Sequence, residues 1–338
     1  MNKNNWRAAC VGLGVAASAV AVGPVRAEEM EAVFSLPAIT FSFVPVYVAE
    51  DQGYWSKRGI KMKTIVITGI GSMNAVLARS AEFTLSSTPT IIRANIRGQK
   101  VLAIASASDQ ASVEIVLRKD LAEAAGLTEK TPLAQRAQSL KGKKIALQGL
   151  NAIPHGFLRY FAKKGPIDSE RDVQLAVMQP EAGLAALKSK QIDGLAEVLP
   201  YSTMAVHQGS GVVIGSAPKG DFPELNPYAN NAIAALASTC EAKSQLCLAT
   251  VSGFAEAITF IHEHPKEAGA ILKKRIPNMD DATFDDAFEM TRRGIPKTLG
   301  MTEAGLRNAQ ALMLVGGMIK DEEKLSSFES IHTNAYVK

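Results

Sequence analysis

The sequence predicts an α/β fold of two lobes joined by two crossings of the chain. Three observations carry this expectation. Short strand patterns alternate with helix patterns through brief turns, which builds a mostly parallel sheet. The pattern restarts near residue 140. Two extended runs without turn residues, 111–117 and 231–238, stand where a chain leaves one lobe and returns to it. The first lobe is then expected from 28–110 and 240–338, and the second from 111–239.

Residues 1–27 are expected to precede the fold as a secretory signal peptide. Lys3 and Arg7 come before the uncharged apolar run 8–22, and Val25-Arg26-Ala27 puts small residues at the two positions a signal peptidase reads. That run is shorter than the ~20 apolar residues of a membrane-spanning helix. Cys10 precedes most of it, which argues against lipid attachment. No later stretch reads as a membrane span.

In the first lobe, 32–36 reads as a strand and 37–43 as an apolar loop. Pro45 opens a helix ending near Gln52, proline being favoured in a first turn. Residues 60–67 start by alternating and end apolar, a strand with a buried end. The turn 68–72 follows, with Ser72 as the cap of a helix over 73–80. A strand at 83–86 leads to Thr88-Pro89, the cap-then-proline start of the next helix, and 101–106 is a strand.

In the second lobe, Leu140-Lys141-Gly142-Lys143-Lys144 enters the strand 145–148. The turn 149–154 opens a helix to about Lys164. A strand at 173–178, a helix at 181–188 and a strand at 192–197 follow, and Pro200 opens another helix. Residues 74–90 and 181–200 share one order: helix, turn, short strand, proline. The segment 253–320 is helical and amphipathic, with Phe254, Ile258 and Ile261 spaced as a core face rather than a cofactor face.

Composition excludes some classes. Without Lys3, Arg7 and Arg26, the 37 basic residues fall to 34 against 33 acidic. That balance leaves no nucleic-acid footprint. Cys240 and Cys247 remain after Cys10 is removed; in an oxidising compartment they form one short-loop disulfide or stay as two buried thiols. Neither they nor His262 and His264 stand at metal-ligand spacing, and no metal or cofactor is expected.

The run Val46-Tyr47-Val48-Ala49-Glu50-Asp51-Gln52-Gly53-Tyr54-Trp55-Ser56-Lys57-Arg58-Gly59-Ile60 resembles a signature of ABC-transporter substrate-binding proteins of the nitrate/sulfonate/taurine type, the NMT1/THI5-like group. That signature reads Tyr-x-Ala-x-x-x-Gly-aromatic-Phe-x-x-x-Gly-aliphatic. Residues 140–146 resemble the start of the family's second lobe. Gln191-Ile192-Asp193-Gly194, followed by Pro200, resembles its later helix–strand–proline segment. The likeness spans roughly 33–270. It departs at Arg79-Ser80-Ala81-Glu82-Phe83, read as a shortened loop with Glu82 where the family has Asp.

The resemblance implies a two-lobed periplasmic-binding-protein fold of type II. It implies a monomeric periplasmic protein that takes a small organic ligand and passes it to an ABC permease and ATPase in the inner membrane. Gly53 ends the helix by taking positive φ, and Tyr54 and Trp55 pack over the first strand pair, with Trp55 near a hinge. Two rivals stand beside this. One is a receptor that signals to a membrane partner. The other is an enzyme like the pyrimidine synthases of this fold, whose cysteine-rich motif is absent here; Gly-x-Ser-x-Gly, His-Glu-x-x-His and P-loop motifs are absent as well.

Ligands of such sheets sit beyond the carboxyl ends of the strands. Gly71, Ser72, Ser87, Thr88 and Asn151 stand at those ends, where helix starts receive anions; Ser and Thr also cap helices without any ligand. His155 either bonds a ligand oxygen or only fills a first turn. Glu197 ends a strand facing the cleft, where a carboxylate suits an amine, a hydroxyl or a cation and opposes a bare anion. Phe41, Ser42 and Phe43 on one side and Tyr201 on the other are expected to line the cleft, which suits an organic anion with an apolar body.

Overall fold

The computed structural model describes residues 29–150 and 152–337. The expected signal peptide, 1–27, and Asn151 lie outside the described residues. Ten strands form two sheets. They are β1 (Met30–Leu36), β2 (Ile60–Val66), β3 (Phe83–Ser87), β4 (Val101–Ser108), β5 (Val113–Arg118), β6 (Lys144–Leu147), β7 (Gln174–Val177), β8 (Gly194–Val198), β9 (Gly211–Ser216) and β10 (Asn231–Leu236). The first sheet has the order β2-β1-β3-β10-β4 and the second β7-β6-β8-β5-β9.

β1, β2 and β3 run parallel, as do β6, β7 and β8. The strand that follows each crossing enters its sheet antiparallel: β5 between β8 and β9, and β10 between β3 and β4. The extended runs 111–117 and 231–238 therefore lie largely within the sheets as β5 and β10. The crossings themselves are 109–112 and 217–230. A crossing and a fully buried strand are both extended and apolar, and only register tells them apart.

Helices flank both sheets. One face of the first sheet buries Phe34, Leu36, Phe83 and Leu85 against the helices Val44–Asp51 and Ser244–Glu263. Trp55 is the largest buried side chain here. It stacks on Phe34 with ring centroids 5.5 Å apart and donates Nε1–H to the Thr250 carbonyl at 3.0 Å. A Cβ on Gly253 would meet Trp55 Cδ1 at 2.5 Å, so the indole lies directly on that backbone. Trp55 thus belongs to the interior of the first lobe rather than to a hinge. Gly53, at φ +66°, ends the preceding turn.

The helix Ser244–Glu263 is, by length and composition, long and apolar enough to cross a membrane, contrary to the sequence reading. Its apolar residues serve the core instead, with Leu246, Val251, Phe254, Ile258 and Ile261 buried. Cys247 in its first turn joins Cys240, in the short helix Ala237–Ala242 that precedes it, in a disulfide.

The opposite face of the first sheet continues into the second lobe. The helices Glu303–Val315 and Ile153–Ala162 cross at Gly156 and Gly316, so closely that a Cβ on Gly316 would meet Gly156 Cα at 2.8 Å. Apolar contact between the lobes is thus continuous on this side.

The helix–turn–strand repeat is physical. Arg79 and Lys190 both adopt left-handed backbone, φ 59° and 61°. Three residues after each, a carboxylate binds the first lobe's β1 or its second-lobe counterpart β6: Glu82 accepts from Val33 N–H at 2.9 Å, and Asp193 from Lys144 N–H at 2.9 Å. The loop read as shortened keeps the spacing of its counterpart, and Glu82 takes the acidic role.

Candidate functional site

The carboxyl ends of β3 and β8 lie beside the crossings, since Ser87 pairs with Asn231 and Val198 with Val113, and β1, β2, β6 and β7 run parallel to them and end on the same side. This arrangement sets the candidate site. Its rims are apolar: Ile39, Val66 and Ile70 from the first lobe and Leu150 and Val177 from the second are all at least half exposed. Such side chains normally withdraw from water, and here they sit on the loops and strand ends that border the cleft.

The first-lobe residues do less at the surface than their types imply. Phe41 is fully buried, with its ring 5.1 Å from that of Phe284, and Phe43 is buried too. Neither forms the expected apolar wall, because the short turn Phe41–Phe43 directs both rings into the lobe interior. Ser42, between them, instead faces a narrow cavity at the crossings with Gln110, Ser112, Leu199, Asn230 and Thr291.

The helix Gly71–Leu77 starts two residues earlier than Ser72 as its cap would set it. Ile70 holds the cap position and Ser72 Oγ donates to the Gly69 carbonyl at 3.1 Å, so Ser72 is buried and does not cap. Gly71 needs its missing side chain, since a Cβ would come within 2.7 Å of Ile67 Cγ2. In the helix Thr88–Ile96 the cap position belongs to Ser87, whose hydroxyl pairs with that of Thr90 at 2.9 Å. Thr88 donates its N–H to the Asn230 carbonyl at 2.8 Å, and its buried Oγ1 has no partner.

In the second lobe, Ala152 precedes the helix Ile153–Ala162. His155 is buried, with Nε2 3.0 Å from Glu170 Oε1 of its own lobe. Burial and the Arg159 charge depress its pKa, and Glu170 opposes them. Its ring is therefore engaged within the lobe.

Glu197 is 2% exposed, next to the end of β8. Burial pushes its carboxyl up to about 8; the N–H groups of Val198 and Gln148 pull down and the Glu181 charge pushes up. Glu197 Oε2 has no hydrogen-bond partner. Tyr201, half-buried at the start of the helix Tyr201–His207, donates its hydroxyl to Glu181 Oε1 at 2.6 Å. Burial, that bond and the two carboxylates raise its pKa. Glu114, directly opposite Glu197 in the β5–β8 pair, is buried and accepts from Ser216 Oγ at 2.6 Å. The second-lobe wall is thus acidic.

Sequence reasoning missed Glu181, Glu114 and Asn230. Glu181 opens the helix Pro180–Lys188 just beyond β7. The rule that pointed to Ser72 and Thr88, a polar residue just past a strand's carboxyl end, reaches it as well.

The sequence matches the NMT1/THI5-like family over residues 40–268. The chain belongs to that family. Among proteins curated for function, none matches its sequence. The fold is similar to that of the periplasmic aliphatic sulphonate binding protein SsuA from Escherichia coli, at 17% identity over 84% of this chain and 91% of that one, TM-score 0.68. It is similar to the periplasmic nitrate-binding protein NrtA from Synechocystis PCC 6803, at 15% identity over 91% and 87%, TM-score 0.67. It is also similar to the desulfurization enzyme DSZB, at 13% identity over 89% and 96%, TM-score 0.65. The family member described here therefore has the two-lobed periplasmic-binding-protein fold of type II.

Proposed function

We propose that this chain is the solute-binding protein of an ABC importer. It captures a small organic anion of sulfonate or carboxylate type between its lobes and delivers it to a membrane permease and its ATPase. The observation that supports this is that six strands, three in each sheet, end on the side of the crossings, with exposed apolar side chains at those ends. Only closure lets both lobes touch one ligand, so binding and closure are coupled. The anionic end belongs at the first turn of the helix Thr88–Ile96, where Ser87, Thr88 and Thr90 gather hydroxyls and the helix start is electropositive. The apolar body rests on Ile39, Ile70, Leu150 and Val177.

In this reading the protein works as a monomer in the periplasm, after residues 1–27 are removed, without cofactor or covalent chemistry. Mass spectrometry of the exported protein would then show Glu28 as the first residue. A thermal-shift screen of sulfonates, carboxylates and pyrimidines, followed by calorimetry, tests the main claim. A ligand at about 100 times its Kd adds ~2.7 kcal/mol of stability. Steady turnover of any of them would favour an enzyme instead, a reading supported by the similarity to DSZB. Absence of reversible binding across all three classes would overturn the receptor reading.

A further inference from the structure

The two lobes meet on both sides of their sheets, and the two meetings differ. On one side the helices Ile153–Ala162 and Glu303–Val315 make the apolar contact that closes at Gly156 and Gly316. On the other the helix Tyr201–His207 of the second lobe meets Asp281–Arg293 of the first, each on the opposite face of its sheet from the first pair. Here a cavity of about 290 Å³ lies between the lobes, with Glu114, Thr203 and Val213 on the second-lobe side and Glu289, Met290 and Arg293 on the first. In its wall His207 Nε2 lies 2.7 Å from Asp286 Oδ2. Among the described residues this is the one ion pair that joins a residue of the second lobe to one of the first. The other charged groups at the cavity have partners nearer home. Glu289 is held by Arg292 and Arg293 of its own helix, Lys219 by Glu129, and Glu114 by the Ser216 hydroxyl.

We propose that His207 and Asp286 form a latch between the lobes that is set by acidity. The pair carries opposite charges only while the imidazole is protonated, and imidazole is the side chain that changes charge between about pH 5 and 8. The groups around His207 are Asp286, Glu289 and Arg293 from the first-lobe helix, Asp280 at that helix's start, Glu114 from β5 and Lys219 from the second crossing. Asp286 alone bonds the ring. In acid, charge and hydrogen bond act together across the junction. In alkali the neutral ring keeps at most the hydrogen bond, and the junction loosens. The cavity leaves this side without the close apolar packing of the glycine crossing, so the pair bears more of the contact here. A pair this exposed shifts an equilibrium about twofold to fivefold. The latch acts on the lobes themselves, with or without a ligand, and so goes beyond the receptor reading. A ligand that needs the latched arrangement binds more tightly in acid.

The test places spin labels on Lys188→Cys and Lys266→Cys in protein that starts at Glu28. Both positions are exposed, and each lies on a helix packed against one partner of the junction, Pro180–Lys188 on the second lobe and Pro265–Arg275 on the first. The native cysteines stay in their bridge. Distance distributions from pulsed electron resonance should show the shorter separation losing population about twofold to fivefold between about pH 5 and about pH 8.5. Asp286→Asn and His207→Gln should each remove most of that dependence. His207→Lys, whose charge persists, should hold the shorter separation at both pH values. Melting curves report the folding of each variant. A wild-type distribution that does not change with pH overturns the latch. So does a change that survives in folded Asp286→Asn, or one that His207→Lys reproduces.

Discussion

Glu197 makes the stability of the protein depend on pH in an unusual direction. Its carboxyl rises from 4.5 to about 8 on folding, chiefly by burial. An acid held above its unfolded pKa keeps its proton longer in the folded state. Its favourable contribution is therefore complete below about pH 4.5 and is lost as pH climbs through about 8. Each pH unit in that window removes about 1.4 kcal/mol, which bounds the loss at about 5 kcal/mol. Water entering beside the half-buried Tyr201 and rotation of the exposed Glu181 lower this, so about 2–4 kcal/mol is expected. Urea denaturation of wild type and Glu197→Gln at intervals between about pH 5 and about pH 9 measures it. Other titrating groups are common to both proteins and cancel in the difference. The variant should gain on wild type steadily as pH rises. Two stability profiles that stay parallel would show that Glu197 ionises freely in the folded protein, and would refute the reasoning.

The remaining expectations are brief. Trp55 is the one tryptophan among the described residues, and its place on Phe34 and Gly253 ties its fluorescence, read in protein that starts at Glu28, to unfolding of the first lobe; emission that shifts on ligand addition while the fold is intact would contradict that placement. Breaking the Cys240–Cys247 bridge, whose seven-residue separation closes a short loop, should cost about 2–3 kcal/mol; chemical denaturation with and without reductant measures it, and unchanged stability would show that the bridge constrains nothing. Gly316→Ala drives a methyl towards Gly156 Cα and should cost about 1–3 kcal/mol while altering the relation between the lobes; equilibrium unfolding gives the first and small-angle scattering the second, and a variant unchanged in both would mean that the crossing yields easily.

What could be read from the sequence, and what could not, divides along a physical line. The order of strands and helices was legible because periodicity is local: 60–67 alternates and then turns apolar, and β2 is there. The two-lobed plan was legible because it repeats, down to Arg79 and Glu82 in one lobe and Lys190 and Asp193 in the other. The crossings were placed too late in the chain because an extended apolar run carries no mark of whether it pairs. β10 contributes six residues buried throughout, and its neighbours β3 and β4 are more than a hundred residues away in sequence.

The site was less legible, since proximity to a strand end says nothing about direction. Phe41, Ser42 and Phe43 are consecutive, yet the two rings enter the core while the hydroxyl faces the cavity at the crossings. Ser72 and Thr88 have the residue types that cap helices, but a helix beginning two residues earlier spends the first hydroxyl on Gly69, and the Asn230 carbonyl takes the second residue's N–H. Glu197 was recognisable because its position in a strand fixes its direction by parity. It shares a face with Glu114 across the ladder, and with Val116 and Leu195, which pack beneath the helices Pro180–Lys188 and Tyr201–His207. A carboxylate on a face otherwise given to apolar packing costs stability unless something compensates. In this fold the compensation available within the chain is partial: two N–H groups favour the ionised form, and the neighbouring Glu181 works against it. That shortfall, more than any motif, is what holds the Glu197 carboxyl above the usual range and ties it to the stability of the fold.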